Sequence, residues 1–529
     1  MKSLVKVLQI LAMITIGGES ARILAYFPSP FMSHHLVFRA LTKELLSNGH
    51  EVVLITPHPE YSKRESPMNL TEIDMHNTTN EIVKQASISP ETLTGEGKDQ
   101  VKIMKSTLRM IAEIVVKQLM SDEVQNIIRN KEEKFDLILS EAYVYLSLGF
   151  AHLYKVPIMF VSSLGATETN LNIAGAPRHP IYYPDFTQQT VYNHTFLEIL
   201  NEVYLFQTIQ VYDEKLSNKI VKTVFGSDAP TMSELRSVVE SMLMLNIPYV
   251  WDMNRPVAKN VVFLGGTHLK TDEDLPKDLQ DYLDSSKNGV IYVSFGTSVD
   301  PATFPPQKLQ MLIQVFSKLP YDVLWKWNKD ELPGRSKNIR ISKWLPQMDL
   351  LRHPKVKLFI FQGGLHSTDE TISAGVPMLS IPMTSDQWFN SQQIVTHGVG
   401  KQVDLESVTE AEITSYIQTL ISDVRYKENL IRLRSILHDS PHPPLKRAIL
   451  WIEYVITHGA MHLRPPSANL DWMQYFEIEL VIYFIIVFVI LIGFLTFLVR
   501  YLYRLLKKLL YRIIKWVKRL FESTDLPFN

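Results

Sequence analysis

The chain contains 529 residues, with a formal net charge of −1 and no cysteine. The lack of cysteine excludes disulfides, thiol catalysis and cysteine-ligated metal sites, and the length predicts at least two domains. Basic residues are concentrated after Arg500, so the rest of the chain is acidic overall and no nucleic-acid partner is expected.

The first predicted segment is a secretory signal peptide, residues 1–21. Two lysines precede the apolar run Val7–Ile16, and small residues follow up to Ala21. A second apolar run, Ile23–Phe27, begins at once and is the better candidate for the first strand. We therefore expect cleavage near Ala21.

Strands and helices alternate through residues 22–252, which we predict to be the N-terminal domain. The predicted strands are 22–27, 51–56, 135–140 and 157–161, and the predicted helices are 36–47 and 146–154. Apolar, β-branched runs separated by helices are typical of a parallel sheet covered on both faces. Three glycosylation sequons, at Asn69, Asn77 and Asn193, favour a luminal location for this domain.

A polar stretch containing Pro256 predicts a linker at residues 253–260, followed by a second domain at 261–440. The predicted strands of this domain are 289–295, 323–327, 357–361 and 376–381, and the predicted helices are 306–319 and 410–421. The same alternation predicts a second α/β domain with a parallel sheet.

The run Phe359–Asn390 carries the clearest functional signal. A strand ends at the turn Gln362–Gly364 and a helix follows, so free backbone N–H groups and the helix dipole can hold a phosphate. Glu370 can accept hydrogen bonds from vicinal hydroxyls, and Asp386 and Gln387, after the next strand, can bind a second set. A nucleotide-sugar needs both kinds of contact.

The C-terminal part of the chain predicts a membrane anchor. Residues 441–478 form further helices and a juxtamembrane segment, and 479–499 contain an uncharged run that is long enough to span a bilayer. The basic tail, 500–529, is then cytosolic and the body luminal. Leucines at helical spacing in the tail indicate an amphipathic helix on an anionic leaflet, and a simple stop-transfer flank is the alternative.

The run Phe359–Asn390 resembles the signature of the UDP-glycosyltransferases, specifically the membrane-bound UDP-glucuronosyltransferases of animals. The matching residues are Gln362, Gly363, Gly364, Ser367, Glu370, Gly375, Pro377, Pro382, Asp386, Gln387 and Asn390. The resemblance implies the GT-B fold, an α/β architecture in which two doubly wound, Rossmann-like parallel-sheet domains face a cleft. One C-terminal transmembrane helix follows here.

The resemblance also implies how the two domains are used. The UDP-sugar would bind the C-terminal domain and the acceptor the N-terminal domain, with the last helices, near Pro444, crossing back to the first domain. It further implies a single-pass type I protein of the endoplasmic reticulum membrane. The tip of the chain, Leu526–Asn529, carries no lysine-based retrieval signal.

Two residues of the N-terminal domain stand where the family has its catalytic pair. His34, just after the first strand, matches the catalytic base, while the adjacent His35 is expected to point away. Glu141 ends the strand sequence FDLILSE, where many relatives carry aspartate, and matches the carboxylate that orients the histidine.

A larger set is expected to bind the UDP-sugar. It comprises Arg255, Gly296, Thr297, Trp344, Gln347, Gln362, Gly364, His366, Ser367, Glu370, Asp386 and Gln387. Trp344 would stack on uracil, with Gln347 at the polar edge of the base. Gly296 and Thr297 would donate to the diphosphate, and neutral Gln362 replaces the phosphate-binding histidine of many relatives.

The remaining three residues of this set have simpler expected roles. His366 and Ser367 open the helix after the glycine turn and should face the phosphates. Arg255 resembles a family linker arginine that reaches the nucleotide.

One acidic stretch has the composition of a possible metal site. Asp272-Glu273-Asp274 has the spacing of a metal-binding Asp-x-Asp motif, but it lies in a charged stretch without a preceding apolar strand. A solvated acidic segment is the preferred interpretation. We therefore predict metal-independent transfer with no cofactor.

The sequence thus predicts an inverting transferase that moves glucose or glucuronate from a UDP-sugar to a hydroxyl of small lipophilic acceptors, with an implied role in detoxification. A non-catalytic partner that binds nucleotide-sugars or associates with active relatives is the alternative, as is a lipid-specific transferase of the same fold. Homo- and hetero-oligomers both stay open.

Overall fold

The computed structural model describes residues 20–61, 65–85, 100–130, 132–176, 182–188, 195–270, 273–297, 299–468 and 470–522. The chain divides into two units, one up to Asn469 and one from Leu470 onward. The predicted signal peptide lies outside the described residues except for its last two positions, so it stays a prediction.

The first unit contains a sheet of seven parallel strands in the order β3-β2-β1-β4-β5-β6-β7. These strands are β1 (Arg22–Tyr26), β2 (Glu51–Thr56), β3 (Leu70–Asp74), β4 (Leu137–Glu141), β5 (Ile158–Ser162), β6 (Ser241–Leu245) and β7 (Val261–Phe263). Leu24 and Tyr26 pack into one apolar cluster, while Ile23 and Ala25 pack into another. Both faces of the sheet are therefore covered, which is why its strands are continuous apolar runs.

Eight described helices accompany this sheet. They are α1 (Met32–Ser47), α2 (His76–Gln85), α3 (Gln100–Leu119), α4 (Asp122–Arg129), α5 (Leu148–Tyr154), α6 (Glu168–Ala174), α7 (Phe196–Phe225) and α8 (Met232–Val238). Several begin with a capping box, in which a threonine side chain accepts from the third helical N–H group, as Thr195 does at the start of α7.

A second sheet of six parallel strands has the order β10-β9-β8-β11-β12-β13. Its strands are β8 (Val290–Ser294), β9 (Asp322–Lys326), β10 (Ile339–Ser342), β11 (Val356–Phe361), β12 (Met378–Ser380) and β13 (Gly400–Gln402). Its helices are α9 (Lys277–Ser285), α10 (Pro306–Ser317), α11 (Gln347–Arg352), α12 (Leu365–Ala374), α13 (Gln387–Thr396), α14 (Glu410–Ser422) and α15 (Arg425–His438). The two predicted doubly wound sheets are thus present.

The predicted linker at residues 253–260 is wrong. Strand β7 pairs in parallel with β6, with Leu243 opposite Val261, so residues 253–260 lie inside the first sheet's last connection. The chain leaves the first sheet only after Phe263, and the second domain therefore begins later than the predicted residue 261. Pro256 and its polar neighbours marked a loop correctly, but a loop within a domain has the same composition as a loop between domains.

The expected return of the chain to the first domain is observed. Helix α16 (Pro444–His458) packs against α1, and Ile449 and Ile452 share an apolar cluster with Val37 and Phe38. Arg447 also donates to the backbone carbonyls of Phe263 and Leu264, at the end of β7. The helix therefore braces the N-terminal domain.

The second unit consists of a short helix, α17 (Trp472–Tyr475), and one long helix, α18 (Ile478–Glu522). The stretch Ile478–Leu520 is long and apolar enough to cross a membrane. The predicted span, 479–499, forms only the first half of α18. The tail is helical, as predicted, and its helix is continuous with the span, because leucine, lysine and arginine are all good helix formers. Its placement on an anionic leaflet stays a prediction.

Candidate active site

A cavity of about 1400 Å³ is lined by side chains from both domains. Its walls include residues that follow the carboxyl ends of β1, β8 and β11, where open parallel sheets bind ligands. The volume exceeds the roughly 300–1,000 Å³ of a pocket for a single small molecule. There is therefore room for two substrates side by side.

On the N-terminal side, His34 and Glu141 form the predicted pair. Nδ1 of His34 lies 2.7 Å from Oε1 of Glu141, and the glutamate side chain is only 2% exposed. His34 lies in the first turn of α1, while Glu141 is the last residue of the neighbouring strand β4. The glutamate side chain therefore reaches the histidine directly. A carboxylate bonded to Nδ1–H leaves Nε2 free to accept a proton.

Ser29, which the sequence analysis did not single out, holds this pair in place. Its backbone N–H donates to Oε2 of Glu141 at 3.1 Å, and its hydroxyl lies 3.2 Å from Nδ1 of His34. Both carboxylate oxygens are thereby engaged. The only signal in the sequence was its place in the loop between β1 and α1.

His35 points away from the cavity, as expected. It is buried, with Nε2 against the carbonyl oxygen of Ser29 and Nδ1 against the hydroxyl of Thr56. Burial lowers the pKa of His35 to about 3, so the ring is neutral and structural.

Tyr143 forms a further part of the wall near His34, with 6.2 Å between the two ring centroids. Its hydroxyl is bonded to Ser162 and donates to the carbonyl of Gly165. Burial raises the pKa of Tyr143 well above its usual value, which excludes it as a competing base. Aromatic residues are common in cores, so the sequence did not distinguish this tyrosine.

On the opposite side, two glycine turns bring backbone close to the cavity. Gly296 has a φ of +71°, and a Cβ there would overlap the amide of Gln362. Gly364 precedes the first residue of α12, whose backbone N–H donates to Asp386. Thr297 also lines the cavity. The predicted phosphate-binding turns are thus brought together.

Gln347 is at the centre of a network with Ser367 and Glu370. Its Nε2 lies 2.8 Å from the Ser367 hydroxyl oxygen and 2.7 Å from Oε2 of Glu370, and its Oε1 accepts from the Tyr292 hydroxyl at 3.0 Å. Burial raises the pKa of Glu370 to about 7, although the hydrogen bond from Gln347 opposes the shift. A buried carboxylate with spare acceptor capacity suits the binding of sugar hydroxyls.

Asp386 and Gln387 line the cavity at the start of α13. Asp386 accepts hydrogen bonds from the Leu365 backbone and from the Asn390 amide, at 3.2 and 2.7 Å. Burial raises the pKa of Asp386 to about 6, opposed by these bonds and by the nearby charge of His34. Oε1 of Gln387 accepts from the backbone N–H groups of Met383 and Thr384, which fixes the loop before the helix.

Trp344 lines the cavity with 69% of its surface exposed. In contrast, Trp325 and Trp327 are buried in the core of the second domain. An exposed indole at a cavity rim leaves a flat apolar face available to a planar base.

His366 departs from its predicted role. Its Nε2 is bonded to the carbonyl oxygen of Ser163 in the N-terminal domain at 2.9 Å, and its ring packs against His268. Burial holds the pKa of His366 well below its usual range. Although the residue borders the cavity, its Nε2–H group forms a hydrogen bond between the two domains and is not available to a phosphate.

The prediction that Arg255 reaches the nucleotide is not supported. Its guanidinium pairs with Asp252 and donates to the backbone carbonyls of Tyr183 and Pro184, and the side chain does not line the cavity. The residue lies within the β6–β7 connection, not between domains. Its guanidinium N–H groups are hydrogen-bonded within the N-terminal domain and stabilise that connection.

The predicted glycosylation sites differ in their surroundings. Nδ2 of Asn69 donates to the carbonyls of Leu46 and His50, whereas Asn77 is exposed in the first turn of α2. Asn193 lies outside the described residues. The geometry therefore favours Asn77 over Asn69 as a glycan acceptor.

The acidic stretch expected to be solvated is only partly described, because Asp272 lies outside the described residues. Glu273 pairs with Lys270, and its backbone N–H donates to Asp349. Within the described ranges, no cluster of three or more histidine or acidic side chains could hold a metal. Metal independence stays a prediction.

Comparison with known proteins gives concordant matches. The sequence model of the family described as "UDP-glucoronosyl and UDP-glucosyl transferase" matches residues 23–512. The ecdysteroid UDP-glucosyltransferase of Spodoptera littoralis nuclear polyhedrosis virus is 32% identical, with 88% of this chain and 94% of the relative covered. UDP-glucosyltransferase 2 of Dactylopius coccus is 31% identical, with coverages of 90% and 92%. Human UDP-glucuronosyltransferase 2B15 is 28% identical, with coverages of 89% and 91%.

Solved structures match the fold. The glycosyltransferase VinC in complex with dTDP superimposes with a TM-score of 0.56 at 14% identity, covering 83% of this chain and all of that one. The glycosyltransferase of kitacinnamycin gives a TM-score of 0.54 at 19% identity, with coverages of 82% and 98%. The expected GT-B fold is thereby confirmed.

Proposed function

Because the chain belongs to the UDP-glucuronosyl and UDP-glucosyl transferase family, we propose that it moves a hexosyl group from a UDP-sugar to a hydroxyl of a small lipophilic acceptor, with inversion. The observation that carries this proposal is the His34–Glu141 pair on one wall of the cavity. The opposite wall contains the glycine turns at Gly296 and Gly364, which are suited to binding a phosphate. Direct displacement requires a base beside the acceptor hydroxyl and a binding site for the departing diphosphate, and both must face the same space.

The proposed reaction is a single displacement. Nε2 of His34 takes the proton of the acceptor hydroxyl as its oxygen attacks the anomeric carbon, and Glu141 stabilises the imidazolium that forms. The bond between the anomeric carbon and the β-phosphate oxygen breaks, and its electron pair leaves with UDP. Attack from the face opposite the leaving group inverts the anomeric configuration. No metal or cofactor enters this scheme.

The donor is proposed to lie along the C-terminal wall. Trp344 would stack on uracil, with Gln347 close to the base, and Glu370 would accept from sugar hydroxyls. Asp386 and Gln387 would contact the hexose, which places the anomeric carbon near His34. His34 and Asp386 line the same cavity, which supports this order.

We propose glucose as the transferred sugar in preference to glucuronate. The carboxylate of glucuronate would need a cation that is not already neutralised. Lys270, on the cavity wall, is paired with Glu273 and Asp349. Lys326, which also lines the cavity, contacts the Gly296 turn, where the diphosphate and not the hexose is proposed to lie. The names of the viral and Dactylopius relatives, which are glucosyltransferases, favour the same choice.

The acceptor is proposed to be lipophilic with several hydroxyls. The N-terminal wall includes apolar side chains from α3 and α7, namely Met104, Leu108, Met110, Phe206 and Ile209. Asp213 and Asp185 border the same space and can accept hydrogen bonds from distal hydroxyls. The ecdysteroids named for the viral relatives have this character.

For location, we propose a luminal body in the endoplasmic reticulum, anchored by α18 with the basic tail in the cytosol. The support is the apolar stretch of α18 and the basic residues beyond it.

The test is transfer by the full-length protein in membranes. UDP-glucose and UDP-glucuronate are supplied in turn with a panel of phenols and steroid alcohols, and product is quantified by mass spectrometry. We expect glucoside formation, its loss in His34→Ala, and UDP affinity near normal in that variant. His152→Ala, an exposed histidine on α5 outside the cavity, is the matched control and should keep full activity.

Two outcomes would contradict the proposal. Unchanged turnover in His34→Ala would remove the assigned base. Equal product from membranes with and without the protein, across all donors and acceptors, would favour a non-catalytic partner.

A further inference from the structure

Lys326, which the sequence analysis did not consider, reaches the donor side of the cavity. It is the last residue of β9, and its ammonium nitrogen lies 2.7 Å from the carbonyl oxygen of Gly296 and 3.4 Å from Oδ1 of Asn328. Both partners are neutral. In the part of the chain that the structure describes, no carboxylate forms an ion pair with Lys326, which lines the cavity.

The position of Lys326 follows from the strand order. Strands β9, β8 and β11 are adjacent and parallel, so Lys326, the Gly296 turn and Gln362 follow three neighbouring strand ends. Gln362 is 7% exposed and lines the cavity, yet its Oε1 is buried without a hydrogen-bond partner. The Lys326 ammonium, whose two partners are both neutral, is the group at this turn that points to a missing anionic ligand. The unpartnered Oε1 of Gln362 is an acceptor and does not contribute to binding an anion.

The ligand that the Lys326 ammonium can bind here is an anion. Asp386 already occupies the N-terminal N–H group of α12, through its bond to Leu365, so the helix offers less positive potential to a phosphate than its sequence suggests. Gln362 contributes no charge. Lys270, the other lysine near this wall, is neutralised by Glu273 and Asp349. Among the described lysines of this wall, Lys326 is therefore the one that can meet a diphosphate.

Burial supports the same view. Desolvation lowers the pKa of Lys326, opposed by the more distant charge of Asp300, so the ammonium gains by acquiring an anionic partner.

We propose that Lys326 binds the β-phosphate of the donor and stabilises the negative charge that develops on UDP as the anomeric carbon–oxygen bond breaks. The inference rests on the proposed function for the donor's identity and extends it by naming the cation that serves the leaving group. In the displacement, the electron pair of the broken bond goes to the β-phosphate oxygen, next to the Lys326 ammonium, while the acceptor proton goes to His34. A charge placed where charge develops lowers the barrier more than it tightens ground-state binding.

The test measures binding of uridine, UMP and UDP by calorimetry to the full-length protein in detergent. We expect Lys326→Gln to weaken UDP by about tenfold, with uridine and UMP changed by less than about threefold. Lys326→Arg, which keeps the charge, should restore most of the UDP affinity. Lys329→Gln removes an exposed lysine outside the cavity and is the matched control, with all three affinities unchanged. With UDP-glucose as donor, Lys326→Gln should lower kcat by about 10²-fold.

Three outcomes would overturn the proposal. Equal weakening of uridine and UDP would assign Lys326 only to holding the Gly296 turn. A loss confined to transfer from UDP-glucuronate, with UDP-glucose unaffected, would assign it to a hexuronate carboxylate. Unchanged UDP affinity in a folded Lys326→Gln protein would remove it from the site.

Failure of the proposed function is a separate result. A wild-type protein that binds UDP but transfers no sugar would contradict the assigned reaction. In that case the affinity ratio between UMP and UDP in Lys326→Gln still decides whether Lys326 binds the β-phosphate.

Discussion

Nδ1 of His34 lies 2.7 Å from Oε1 of Glu141, although 107 residues separate the two in the sequence. The contact exists because β1 and β4 are neighbours in a parallel sheet, with Tyr26 opposite Ser140. Glu141 and the loop after Tyr26 therefore emerge at the same sheet edge, and the cavity opens on that edge. The proposed chemistry depends on this pairing of strands.

Glu141→Gln tests the orientation of the imidazole. A glutamine that turns its NH₂ group toward Nδ1 would favour the tautomer with the proton on Nε2, which removes the base. We expect kcat to fall by about 10²-fold or more, while the UDP dissociation constant changes by less than about twofold. Steady-state kinetics and calorimetry check this. Full activity would show that Glu141 is a structural residue.

Trp344→Ala tests the stacking platform. Because the indole is largely exposed, its removal should leave the melting temperature unchanged. Loss of base stacking should weaken the binding free energies of uridine, UMP and UDP by the same amount, about 1–3 kcal/mol. This uniform loss differs from the loss specific to UDP expected for Lys326→Gln. Trp344→Phe should retain part of the affinity. A loss confined to UDP would contradict the role assigned to Trp344.

Glu370→Gln makes stability depend less on pH. Burial raises the pKa of Glu370 from 4.5 to about 7, so the folded state binds a proton that the unfolded chain releases above pH 4.5. The ionised carboxylate therefore destabilises the fold increasingly between pH 4.5 and 7, by on the order of 3 kcal/mol at most. Without ligand, Glu370→Gln should melt higher than the wild type at pH 8 and equally at pH 4.5. A difference that does not vary with pH would contradict this account.

Arg255→Met separates structure from nucleotide binding. The substitution leaves the buried carboxylate of Asp252 without its partner, which should destabilise the fold by about 3–5 kcal/mol. The folded fraction should bind UDP as the wild type does. Combining it with Asp252→Asn should recover part of the stability, as thermal denaturation would show. Weaker UDP binding by the folded protein would return Arg255 to the donor site.

Asn77→Gln tests both glycosylation and the luminal orientation. Asn77 is exposed, whereas the amide of Asn69 is committed to two backbone carbonyls. We expect Asn77→Gln, and not Asn69→Gln, to abolish one glycosidase-sensitive shift in electrophoretic mobility. No shift in the wild-type protein would place the body outside the lumen or leave all sequons unused.

Local patterns were sufficient for much of the architecture. Apolar β-branched runs predicted most of the strands, and the glycine turn before α12 and the carboxylates after it indicated the candidate donor site. Five strands of three to five residues, β3, β6, β7, β10 and β13, were missed, because brief strands carry little periodicity. The linker was misplaced for that reason, since β7 follows it directly.

The sequence by itself determined the family signature, the two α/β domains, the apolar stretch of α18 and the candidate pair His34 and Glu141. The tertiary structure alone decided which side chains face the cavity. The ring of His366 is hydrogen-bonded to the carbonyl of Ser163, 203 residues away. Arg255 donates to backbone carbonyls, and Lys326 donates to the carbonyl of Gly296. Adjacent parallel strands bring distant residues to one edge, and the hydrogen bonds available there fix each side chain, so local sequence cannot specify these roles.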